Sequence, residues 1–200
     1  MVRPLDYSAA VQELLAPERV NELGPGQPHR SALDALHTLT PESLVAPHRL
    51  RDHDMAQCCL AGLWLLHDYL DEAHRLVQDL DSTSAAYWHG ILHRREPDYP
   101  NAKYWFRRVG KHPIFSQLTV AAQRMAEMPP AASGTEQGGG RAWPWDKSIS
   151  VWDPNRFVDA CERVAADPEL EWARQLCQRL AREESDILFD FCYRAAMGAT

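Results

Sequence analysis

The sequence predicts an all-α fold, and three observations carry that prediction. Apolar residues recur at the 3.6-residue spacing of a buried helical stripe. Val and Ile are scarce, whereas Ala, Leu, Gln, Glu and Arg are plentiful, a bias towards helix formers and away from β-branched residues. No segment alternates apolar and polar residues as a half-buried strand does. The 200 residues are 45% hydrophobic and 24% charged, a globular composition. That length suits one ordinary domain spanning residues 1–200.

The elements follow in order. Residues 1–30 hold one short periodic segment (Tyr7, Val11, Leu14, Leu15) that gives way to a loop at Gly24-Pro25-Gly26-Gln27-Pro28. Ser31 is placed to cap a second short helix carrying Leu33, Leu36 and Leu39, and Pro41 and Pro47 break the chain after it. Residues 52–112, dense in Trp, His, Leu and Tyr, form the centre of the molecule. A helix is predicted from Ser116 to Glu127. The Pro- and Gly-rich stretch that follows predicts a flexible loop at about 129–142, with Trp143-Pro144-Trp145 docking back onto the core. Asp153 before Pro154 is an N-cap followed by Pro at the first helical position, and Asp167-Pro168 repeats the signal. The helix that opens there carries Leu170, Ala173, Cys177, Leu180, Leu188, Phe191 and Ala195 on one stripe and stops at Gly198.

Within the centre, two segments can be laid over one another. Ala61 and Ala73 are twelve positions apart, as are Gly90 and Ala102. Small residues at these places let two antiparallel helices approach closely. A turn containing Asp and Tyr (Asp68-Tyr69, Asp98-Tyr99) separates the helices in each unit. The run from Asp98 to Arg108 resembles the second helix of tetratricopeptide and Sel1-like helical-hairpin repeats, and Gly110-Lys111-His112-Pro113 resembles their closing turn. The resemblance covers about residues 58–113, and its period is shorter than the usual tetratricopeptide unit. It implies helical hairpins, closed here by a long C-terminal helix, that bind a protein or a small ligand without catalysing a reaction.

Composition excludes several function classes. The net charge of −7 argues against a nucleic-acid binder, which needs a surplus of Lys and Arg on one face. The longest apolar run, Cys58–Leu66, is less than half the roughly 20 residues of a membrane span. The N-terminal stretch has no apolar core of signal-peptide type. Five cysteines with no C-x-x-C spacing predict reduced, buried thiols. A cytoplasmic location is the expectation. No Gly-rich phosphate loop, G-x-S-x-G elbow or H-E-x-x-H motif is present.

The chemistry-bearing residues sit in the same central region. His67, Asp71 and His74 are spaced i, i+4, i+7, and so are His89, His93 and Glu96. On continuous helices such residues share a face. Facing helices that each offer a His/carboxylate stripe are how helical proteins build internal metal sites. His67, His74, His89 and His93 are therefore candidate ligands for Zn or another divalent first-row metal. Glu184 falls between Leu180 and Leu188 on the apolar stripe of the last helix. A buried carboxylate needs a partner, and a histidine, an arginine and a metal are its candidates, so Glu184 is the candidate catalytic acid of the cluster. Arg94, Arg95, Arg107 and Arg108 flank the second hairpin beside Trp88 and Trp105. Arg forks and indole walls suit a small anionic ligand. Two classes of function therefore stand. One is a non-catalytic tetratricopeptide-like module for a protein or small anionic ligand. The other is a metal-dependent enzyme that uses the His/acid cluster.

Overall fold

A computed structural model describes residues 7–16, 19–127 and 149–199. Every regular element among them is helical: α1 Ala9–Leu15, α2 Leu33–Thr38, α3 Pro41–Val45, α4 His53–Leu66, α5 Leu70–Val77, α6 Thr83–Arg95, α7 Tyr99–Val109, α8 Phe115–Glu127, α9 Pro154–Ala166 and α10 Glu171–Ala196. Short 3-10 turns at Arg30–Ala32 and Pro168–Leu170 lead into α2 and α10. The all-α prediction holds. No helix among the described residues is long and apolar enough to cross a membrane.

Most starts and stops are the ones their residues dictate. Side chains of Ser8, Asp52, Ser82, Asp98 and Asp153 accept a hydrogen bond from a first-turn amide of the helix that follows, satisfying a donor that has no acceptor within its own helix. Asp167 does the same for the 3-10 turn before α10, and Gly198 takes the left-handed conformation just beyond the end of α10. Two local readings differ. Ser31 lies inside the 3-10 turn and its hydroxyl meets His29 instead of capping a helix. Pro41 opens α3 rather than breaking the chain, because Thr40 and Ser43 form a reciprocal cap around it. The segment 129–142 and Trp143-Pro144-Trp145 lie outside the described residues.

α4 packs on α5 and α6 packs on α7, each pair joined by a short turn. The close approach expected at Gly90 is present: a Cβ there would sit 2.8 Å from the Phe106 ring of α7. Gly62 of α4 is filled in the same way by the Trp88 indole of α6. α10 lies across α4, α8 and α9. α7, α4 and α5 pack on α6 and Glu184 of α10 reaches its end, so every residue from Ser84 to Arg95 is buried. An ordinary amphipathic helix has one buried stripe. This one carries His, Arg, Ser and Tyr on its sides and buries them all, so each polar group must find a partner inside the protein. All five cysteines are free and buried.

Candidate functional site

The helical turn of about 100° per residue sends the last residues of α6 in different directions. Arg94 goes towards α10. Its Nη2 donates to Glu184 Oε2 at 2.5 Å, and Tyr87 Oη donates to Glu184 Oε1 at 2.7 Å. The Trp152 indole N–H in turn donates to Tyr87 Oη at 2.9 Å. Glu184 is 0% exposed. Burial opposes the charge on Arg94, but the adjacent Glu184 carboxylate outweighs it and holds the guanidinium protonated. Burial, then Glu184, pushes the Tyr87 hydroxyl well above its usual range, so Tyr87 stays a donor. Glu184 therefore belongs to a buried ion pair with an arginine, one of the partners its position called for. Neither imidazole of α6 is among its hydrogen-bond partners, and the structure does not bring it into the histidine cluster as a catalytic acid.

Arg95 turns towards the N-terminal loop. It donates to the carbonyls of Gly24, Pro25 and Leu65 and to Asp68. Asp68 also accepts from Arg19 and Asn21, both at 2.8 Å. Asp68 holds φ at +64°, and a Cβ on Gly26 would strike its carboxylate at 2.6 Å, so glycine is required opposite it. Arg94 and Arg95, expected to form an anion pocket with Trp88, are bound by internal acceptors, and Trp88 fills the core at 1% exposure.

His93 faces α5 and α7 and meets the predicted cluster. His74 of α5, His89 and His93 of α6 each offer a ring nitrogen, and the three nitrogens lie within 4.8 Å of one another. His74 Nε2 and His89 Nε2 are 2.8 Å apart. His93 Nδ1 lies 2.8 Å from Glu96 Oε2. Because a carboxylate only accepts, that nitrogen carries a proton, and in the neutral ring Nε2 keeps a lone pair. Asn101 of α7 approaches the same ring, 3.2 Å from Nε2. His89 is stacked between two rings: Trp105, at 3.8 Å between centroids and 11° between planes, and His93, at 4.9 Å and 19°. Burial, reinforced by His93, His74 and Arg108, lowers the His89 pKa to about 3. His89 is thus neutral at neutral pH, the form that ligates metal. Its Nδ1 is buried with no hydrogen-bond partner.

Arg108 lies over the Trp105 ring at 5.1 Å, at the edge of this cluster, and Arg107 is exposed. Of the six residues expected to bind an anion, Trp105 and Arg108 therefore sit beside the histidines, Arg107 faces solvent, and the other three are structural.

His67 does not join the cluster. It is the C-cap of α4, and α5 begins only at Leu70. The turn therefore breaks the face that His67, Asp71 and His74 would share on one continuous helix. Its ring meets His29 of the loop before α2, Nδ1 to Nδ1 at 2.9 Å, and the Leu14 carbonyl at 3.1 Å. Sequence reasoning missed Asn101 and His29, which come from positions that no spacing rule links to the ligands.

No protein-family model, curated protein or solved structure gives a significant match to this chain.

Proposed function

We propose that the protein is a helical metal-binding protein whose His74, His89 and His93 take one divalent first-row cation such as Zn. The convergence of three imidazole nitrogens within 4.8 Å carries this reading. Two details support it. Glu96 holds the remote nitrogen of His93, the carboxylate–histidine arrangement that orients ligating imidazoles. His89 is held neutral by its burial. Nitrogens around tetrahedral Zn stand roughly 3.3 Å apart, given Zn–N bonds of about 2.0–2.1 Å. The widest pair must therefore close by about 1.5 Å, and the half-buried His74 ring is the one with room to turn. Three protein ligands leave a fourth position for water or an exogenous group, as in catalytic rather than structural zinc sites. Trp105 and the Arg108 guanidinium beside the cluster suit an anionic group there.

Calorimetric titration of chelator-stripped protein with zinc tests the reading. One equivalent should bind, and His93→Ala should abolish binding. Absence of binding, or binding indifferent to His93→Ala, overturns it. The two consecutive hairpins, closed at Gly90, support a second reading: a tetratricopeptide-like module that docks a protein partner. Docking of that kind is insensitive to chelator, whereas a metal-held ligand is released by it.

A further inference from the structure

We infer that Ser31, His29 and His67 form a nucleophile–base–orienter relay competent for acyl transfer from an ester, at a site separate from the three-histidine cluster. The proton positions in this chain follow from its fixed end. His67 Nε2 lies 3.1 Å from the Leu14 carbonyl oxygen. A carbonyl only accepts, so Nε2 of His67 carries the proton and Nδ1 has the lone pair. That Nδ1 is 2.9 Å from His29 Nδ1, so His29 must donate from Nδ1. In the neutral ring its Nε2 is then the acceptor, and Ser31 Oγ lies 2.9 Å from it. The hydroxyl proton of Ser31 consequently points at a basic imidazole nitrogen. This is the role assignment of a serine, its general base and the group that orients the base, a set recognised by geometry rather than by position in the chain.

The surroundings fit the roles. The His29 and His67 rings are 16° from parallel with centroids 5.1 Å apart. With the nitrogens at 2.9 Å, they meet edge to edge and not face to face. His67 is 1% exposed, and burial, the leading cause, lowers its pKa to about 4. It therefore stays neutral and leaves Nδ1 free to accept from His29. The His29 amide also donates to the His67 carbonyl at 3.0 Å, fixing the two residues to each other. Ser31 itself is exposed. It and His29 line an open groove of about 950 Å³ between the 19–31 segment and Asp68, so a substrate has access to the hydroxyl.

The reaction balances on these groups. Ser31 Oγ bonds to the acyl carbon as its proton passes to His29 Nε2. The bond from that carbon to the ester's alkoxy oxygen breaks, and the departing oxygen takes the proton from His29. Water then attacks the acyl-serine and gives its proton to His29. The acid leaves, and the proton returns to Ser31. Through the first step the imidazolium of His29 donates from Nδ1 to the neutral His67, which is a positioning residue.

The test uses the full chain in the presence of chelator, so its result is independent of any bound metal. The probes are an alkyl fluorophosphonate and p-nitrophenyl acetate. Peptide mapping should find the phosphonyl adduct on Ser31. Ser31→Ala and His29→Phe, both at the surface turn, should each slow p-nitrophenolate release about 100-fold or more, the ordinary range for loss of a general base. His67→Leu removes the acceptor for His29. It should slow release and move the lower inflection of the pH–rate profile to lower pH, whereas His67→Gln, which restores an acceptor, should recover rate and inflection in part. Absence of an adduct on Ser31, or labelling of Ser31 at an unchanged rate in His29→Phe, overturns the inference.

Discussion

Arg94 and His93 are neighbours on α6, yet they end in polar clusters of opposite character. On the Arg94 side, the charge of Glu184 is met by Arg94 and by the Tyr87 hydroxyl, and Tyr87 is itself held by Trp152. On the His93 side, three imidazoles face one another, two of them nitrogen to nitrogen, and His89 Nδ1 has no partner at all. Buried polar groups in folded proteins are nearly always satisfied. A cluster in which opposite charges meet holds the fold, even though Arg94 Nη1 makes no hydrogen bond. The cluster that brings three ring nitrogens within 4.8 Å of one another is the one proposed above to take a cation.

The sharpest way to break this comparison is at Glu184. Glu184→Ala leaves Arg94 charged and uncompensated in the core, and should cost about 3–5 kcal/mol in chemical denaturation. A cost within about 0.5 kcal/mol, the range of a solvated surface position, would show that the pair is not a structural one. Changing Arg94 and Glu184 together to apolar residues of similar volume should restore much of the loss, because the desolvated charges disappear as a pair.

Acid affects the histidines next. Burial is the leading cause that lowers the pKa of His67 and His112 to about 4 and of His89 to about 3. In the unfolded chain all three titrate near 6.5. The unfolded state therefore takes up protons first, and stability that is fully present above pH 6.5 falls as pH drops towards 4 and 3. Each histidine should remove about 1 kcal/mol between pH 6.5 and 5.5. Thermal melts across this window should show the decline. A melting temperature flat from pH 7 to 5 would mean that these rings are hydrated in solution.

The smallest expected change in stability is at the cluster itself. His89→Phe keeps the stack on Trp105 and removes an unpartnered polar nitrogen, and the half-buried His74 that loses its bond can turn to water, so the metal-free protein should stay within about 1 kcal/mol of the parent. Zinc should raise the melting temperature of the parent, by the equivalent of about 2.7 kcal/mol at a hundredfold excess over Kd, and leave His89→Phe unmoved. Similar stability with lost metal response would set the histidine side of α6 apart from the arginine side. A destabilisation comparable to that of Glu184→Ala would erase the distinction.

How far the sequence carried the reading depends on the range of the rule used. Helix starts at Asp153-Pro154 and Asp167-Pro168, and the stop at Gly198, were legible because capping is decided within a few residues. The i, i+4 pair His89 and His93 was legible because both lie within one uninterrupted helix. His67 failed the same rule only because α4 ends there and its ring turns to His29. The need of Glu184 for a partner was visible in its apolar setting, but whether Arg or His supplied it depended on the rotation of α6 against α10. The division of Arg94 and Arg95 between different partners was hidden for another reason. An Arg pair at a helix end ordinarily reads as a solvated surface, and nothing local says that a loop and a long helix close over it.

The enclosure of α6 also bears on motion. A helix with a wet face opens by fraying or by small local fluctuations, and its amides exchange with solvent through them. α6 buries all its residues from Ser84 to Arg95, so it has no such face. Its deuterium uptake should require α4, α5 and α7 to come away together, and its protection should match the free energy of global unfolding. α1 and α3, short and at the periphery, should exchange through openings that leave α6 intact. The shell of the molecule can then breathe while His89, His93 and Arg94 keep their places.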